Sequence, residues 1–104
     1  MTKYLLAYKG GSMPATDEER QAVMAAWGQW FGALGTAVVD GGNPFGQSRA
    51  VAAAGSRSDG ASSSLSGYSV LQAESLDAAA KMAAGCPVLK GGGTVDVYET
   101  INVM

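Results

Sequence analysis

Histidine is absent from this 104-residue chain, and that absence removes more chemistry than any residue present supplies. Ser-His-Asp and Cys-His triads cannot be built without it. Zinc, copper and haem lose their usual ligands, since a single cysteine does not replace them. That cysteine, Cys86, also excludes an intrachain disulfide. A free thiol with no signal-type segment is the pattern expected in a reducing cytoplasm, and the methionine-, alanine- and glycine-rich composition suggests a bacterial source.

Charge is scarce as well. Charged residues make up 15% of the chain and the formal net charge is −2. The seven basic residues, from Lys3 to Lys90, form no run. Nucleic-acid backbones need clustered cations, so nucleic acid is not an expected partner. Apolar runs are short: Tyr4-Leu5-Leu6-Ala7-Tyr8 falls far below the roughly 20 residues of a membrane span, so no membrane association is expected. The glycine clusters match no phosphate loop, because Gly91-Gly92-Gly93 leads into a strand pattern and not a helix.

What is present reads as one domain over residues 1–104, in the order β-α-β-β-β-α-β. Residues 3–8 form a strand with Tyr4, Leu6 and Tyr8 on one face and Leu5 and Ala7 on the other. Residues 10–15 are a loop. Thr16 caps a helix with Glu19 placed as in a capping box, and Gly35 ends it. Val23, Trp27, Trp30, Phe31 and Leu34 share one face of this helix, so the tryptophans are expected in the core. Gly28 and Gly32 lie on its back, which is either plain solvent surface or a site of close backbone approach.

Strands are predicted at 36–40, 47–54, 68–73 and 94–102, with a serine-rich connection at 55–67 that contains Asp59-Gly60. Ser75 caps a second helix to residue 84, followed by Gly85 and Pro87. The last strand places Val95, Val97 and Ile101 on one face and Asp96, Tyr98 and Thr100 on the other. Two helices cover one face of an antiparallel sheet, yet the strands at 3–8 and 68–73 are apolar on both. A second copy packed sheet to sheet is the economical cover for the other face.

The run Lys3-Tyr4-Leu5-Leu6-Ala7-Tyr8, the segment from Trp27 through Gly35, Val39-Asp40-Gly41-Gly42, and the β-α-β run from Gly67 to Tyr98 resemble the YCII-related family. The resemblance spans nearly the whole chain. It implies an α+β, ferredoxin-like domain that forms a dimeric α+β barrel. It also aligns Asp40 with the family's strand-end aspartate, one member of a proposed His/Asp pair. The histidine has no counterpart here. Asn43-Pro44-Phe45-Gly46 matches the Asp-Gly-Pro-Phe motif of a related branch only superficially.

Asp40 is the leading site residue. It ends an apolar strand and precedes two glycines, which permit close approach of a ligand. It reads either as a general base or as an Asx turn bonded to its own backbone near Gly42. Asn43, Tyr68 and Tyr4 are the accompanying polar contacts. Cys86 follows a helix C-terminus, where the dipole disfavours a thiolate, and so reads as buried and inert while still lining a site. Asp40, Asp96 and Glu99 do not have the spacing of a metal loop, and no cofactor is expected. The expected function is a homodimer that binds a small organic molecule in a cleft at the sheet face. The alternative is a cofactor-independent lyase, isomerase or dehalogenase with Asp40 as general base.

Overall fold

In the computed structural model, residues 1–11, 14–53, 57–58, 60–61 and 63–103 are described. Strand β1 (Thr2–Lys9) leads to helix α1 (Asp17–Leu34), a 3-10 turn and strand β2 (Val38–Asp40). A small hairpin of β3 (Ala50–Val51) and β4 (Arg57–Ser58) follows. Then come strand β5 (Leu65–Ala73), helix α2 (Leu76–Ala83), a second 3-10 turn and strand β6 (Thr94–Glu99). The main sheet is antiparallel in the order β2-β5-β1-β6, and β3-β4 form a separate ribbon. Two helices on a four-stranded antiparallel sheet make an α+β fold compatible with the ferredoxin-like arrangement.

Both helices start where their caps dictate. The Thr16 hydroxyl accepts the Glu19 N–H at 3.1 Å, and the Ser75 hydroxyl accepts the Ala78 N–H at 3.1 Å. The returning bond of the first cap differs from a standard box. Glu19 accepts from the Ala15 N–H at 2.9 Å, one residue before the cap.

One face of the sheet presents Tyr4, Leu6 and Tyr8 of β1 and Leu71 and Ala73 of β5 to Trp30 of α1 and Ala79 and Ala83 of α2. The Trp30 indole N–H donates to the Met82 carbonyl at 3.0 Å, tying α1 to the end of α2. Trp27 packs edge-on against Tyr8 with ring centroids 5.2 Å apart. The expected helical stripe holds from Trp27 to Leu34 but fails at Val23, which is 41% exposed. An 18-residue helix is roughly 27 Å long, and only its C-terminal half lies over the core.

Other boundaries shift for identifiable reasons. Of the strand expected at 47–54, residue 54 lies outside the described set, and the rest shrinks to Ala50–Val51, which pairs with β4 and does not join the main sheet. Of the connection expected at 55–67, residues 55, 56, 59 and 62 lie outside the described set, and with them Asp59 of the expected turn; Ser12 and Met13 of the first loop do too. Strand β5 begins at Leu65, earlier than expected, because Gly67 is a strand residue and not a loop residue. A Cβ there would come within 3.1 Å of the Asn43 carbonyl, and Gly67 bridges to Pro44. At 36–37 the chain forms a 3-10 turn, held by the Gln72 side chain donating to the Thr36 carbonyl at 2.8 Å. The last strand stops at Glu99, whose partner Tyr4 ends the register with β1; beyond it the Lys3 carbonyl takes both the N–H and the hydroxyl of Thr100. Ile101 is left exposed.

Gly42 has φ +75°, and a Cβ on it would overlap the Tyr68 carbonyl. Gly28, on the open back of α1, has nothing within 4 Å of its Cβ position. Opposite outcomes are therefore expected. Gly42→Ala should destabilise by more than about 1 kcal/mol, whereas Gly28→Ala should stabilise by roughly 0.8–1 kcal/mol. Urea midpoints of the two variants decide the matter, and a destabilising Gly28→Ala would show that another backbone lies against that face.

Candidate functional site

The period of a strand sends alternate side chains to opposite faces, so the residues between the core positions define the sheet's second face. They are Leu5, Ala7 and Lys9 on β1, Tyr68 and Val70 on β5, and Asp96 and Tyr98 on β6. The ladder aligns them in rows: Val70, Leu5 and Tyr98 lie opposite one another, as do Tyr68, Ala7 and Asp96.

Two register irregularities alter the membership of this face. Val38 pairs with Leu71, but Asp40 pairs with Val70, so Val39 is the extra residue. Without that shift Asp40 would share the core face with Val38. At the other end of β5, Tyr8 pairs with Gly67 and Lys9 with Leu65, leaving Ser66 extra. That shift takes Leu65 off the parity of Gly67 and Ser69 and puts it beside Lys9. Bulges re-aim side chains in this way and are concentrated at sheet edges and next to functional sites.

At the β2 end, Asp40 closes its own turn: the Gly42 N–H donates to Asp40 Oδ1 at 2.8 Å. Its other oxygen faces the Tyr68 hydroxyl in a long 3.4 Å contact. Phe45 stacks on Tyr68, ring centroids 5.7 Å apart at 20°, and the Tyr68 N–H points to the Asn43 carbonyl at 3.4 Å. Asp40, Asn43 and Tyr68 are thus brought together. Asp40 remains exposed, and its carboxylate offers acceptors only.

At the β6 end the same face holds an open cleft of about 420 Å³. Leu5 and Ala7 form its floor, with Leu65 and Tyr98 beside them and Lys9, Asp96 and Ser63 also lining it. The alternation of the first and last strands already carried the signal for Lys9, Asp96 and Tyr98. Nothing in the sequence announced Leu65, which the bulge places there.

Tyr4 and Cys86 lie elsewhere. Both are essentially fully buried on the helix side of the sheet, within the core cluster. Beside Cys86 the Tyr8 hydroxyl donates to Ser69 Oγ at 2.7 Å, and Ser69 donates to the Gly41 carbonyl at 2.6 Å. This relay connects the core to the turn that carries Asp40. Burial raises both the Tyr8 hydroxyl and the Cys86 thiol above their ordinary ranges, so both are neutral near pH 7. Among the described residues no group of three or more His, Cys, Asp or Glu side chains is placed to hold a metal ion. Among the described residues no helix is long and apolar enough to cross a membrane.

Raised folded-state values fix the sign of the pH dependence. The native chain keeps the Tyr8 and Cys86 protons, while the unfolded chain loses them near the ordinary values of 9.0 for the thiol and 10.0 for the hydroxyl. Their contribution to stability is therefore complete below about pH 9 and declines as pH rises further. Urea midpoints should fall between about pH 9 and 11, and the fall should begin later in Cys86→Ala. Identical profiles for that variant and the parent would mean the thiol ionises freely in the native state.

Comparison with models of known protein families gives no match to this chain, and comparison with curated protein sequences gives none either.

Proposed function

We propose that this chain acts as a homodimer, sheet face to sheet face, that binds a small organic molecule between the two copies in the manner of a dimeric α+β barrel. The observation that carries this reading is the second sheet face itself. It bears Asp40 and Leu65, both delivered there by register shifts, together with the 420 Å³ cleft. The helices pack only on the other face. Cα extents of 44 × 40 × 18 Å leave room for a sheet layer and a helix layer but no third layer. Tyr98 and Phe45 stand about half exposed on or beside this face, with Leu5 and Val70 between them half-buried. A second copy would bury all four.

Binding is favoured over acid-base catalysis by the Asp40 geometry. One carboxylate oxygen is committed to the Gly42 N–H and the other faces Tyr68, which anchors the turn and leaves the group suited to accepting a ligand's donor. Resemblance to the YCII-related family supports the same dimeric reading.

Sedimentation equilibrium should give twice the chain mass for the parent protein. Val70→Lys, which sets a charge at the centre of the face, should yield a folded monomer. A monomeric parent would refute the dimer. Asp40→Asn keeps an acceptor for Gly42 and should match the parent's stability to within about 0.5 kcal/mol, whereas Asp40→Ala should lose about 1 kcal/mol. In native mass spectrometry a small mass held at the β2 end of this face in the parent dimer should be absent from Asp40→Asn. Retention of that mass would remove Asp40 from the site.

A further inference from the structure

We infer that the cleft over β1, β5 and β6 takes a small zwitterion with an apolar side chain, of which a free α-amino acid is the simplest case. The inference rests on the open sheet face being the functional one, and it specifies the ligand class for the end of that face opposite Asp40.

The floor and one side are hydrocarbon, from Leu5, Ala7 and Leu65, and Tyr98 adds an aromatic ring. Lys9 and Asp96 supply one charge of each sign. Their placement is fixed by the ladder: Lys9 pairs with Thr94 and Ala7 with Asp96, so Lys9 and Asp96 are diagonal neighbours on one face. Diagonal positions on paired strands stand about 7–8 Å apart. Among the described residues these two do not pair with each other. Each charge therefore has capacity for a partner, and a carboxylate and an ammonium carried on one carbon fit between them. The apolar side chain of such a ligand then lies over Leu5 and against Tyr98.

Other ligand classes fit less well. A phosphate ester would meet a single cation with a carboxylate beside it, and a metal ion would find only one carboxylate. A purely apolar ligand would leave both charges unpaired beneath the second copy, where desolvation penalises them.

The test is isothermal titration of the full chain with L-phenylalanine, L-leucine and L-tyrosine, compared with 3-phenylpropanoate and 2-phenylethylamine, each of which lacks one charge. At least one amino acid should bind at low-millimolar concentration or better, and about tenfold more tightly than either singly charged analogue. Lys9→Met and Asp96→Asn should each weaken it by about tenfold, while Lys81→Met, on the exposed side of α2, should not change it. Equal binding of all the aromatic probes, or no binding of any amino acid, would overturn the inference. Sedimentation of the same samples separates the two levels. A dimer that fails to bind refutes the ligand class and leaves the dimer standing, whereas a monomer that binds through Lys9 and Asp96 keeps the ligand class and refutes the dimer.

Discussion

The register of β1 against β5 is the constraint on which the rest of this molecule depends. These two strands form the centre of the sheet and pair along almost their full lengths. Because side chains alternate with a period of two, a slip of one residue would send Tyr4, Leu6 and Tyr8 to the open face and Leu5, Ala7 and Lys9 to the core. Lys9 in a dry core would be prohibitive, and the aromatic contacts with Trp27 would be lost. The Tyr8 hydroxyl bond to Ser69 adds a polar pin: in the wrong register this fully buried serine would lose its donor. Buried polar groups without partners cost more than the bonds they make contribute, so such a network specifies register more than it adds stability.

Much of this was legible in the chain. The faces of β1 follow directly from Tyr4-Leu5-Leu6-Ala7-Tyr8, and both helix starts follow from Thr16 and Ser75. The strand order requires no more than one helix between the first two main-sheet strands and one between the last two. The bulges were not legible. Whether Val39 or Ser66 is the extra residue depends on which partner atoms lie across the ladder, and no local preference encodes that. As a consequence Asp40 could be named as a candidate while its face could not be derived, and Leu65 could not be named at all. Gly67 misled for a related reason. A glycine in a strand looks like punctuation until the neighbouring backbone, here Asn43 and Pro44, shows why no side chain fits.

The two faces divide the polar chemistry of the chain according to solvent. On the helix side the polar groups are hydroxyls and a thiol: Tyr8, Ser69 and Cys86 are buried, and burial holds Tyr8 and Cys86 neutral. A neutral phenol and thiol in a packed core can fix geometry, but they can neither attract a charged ligand nor release a proton near pH 7. The carboxylates of Asp40 and Asp96 and the ammonium of Lys9 all belong to the open face, along with the aromatic surfaces of Tyr68 and Tyr98. Of the two faces of the sheet, only the open one therefore offers charge for recognition.

That division also bears on the choice between binding and catalysis. Acid-base work near neutral pH needs a group whose proton affinity has been tuned by a dry or charged environment. Among the described residues two groups are so tuned, Tyr8 and Cys86, and both are tuned toward inertness and sealed behind the sheet. On the open face Asp40 is solvated and already engaged by Gly42 and Tyr68. Tyr8 and Cys86 cannot be reached from the open face. In the proposed binding role such a surface would discriminate among ligands by shape and charge, and its energetic differences would be expressed in affinity.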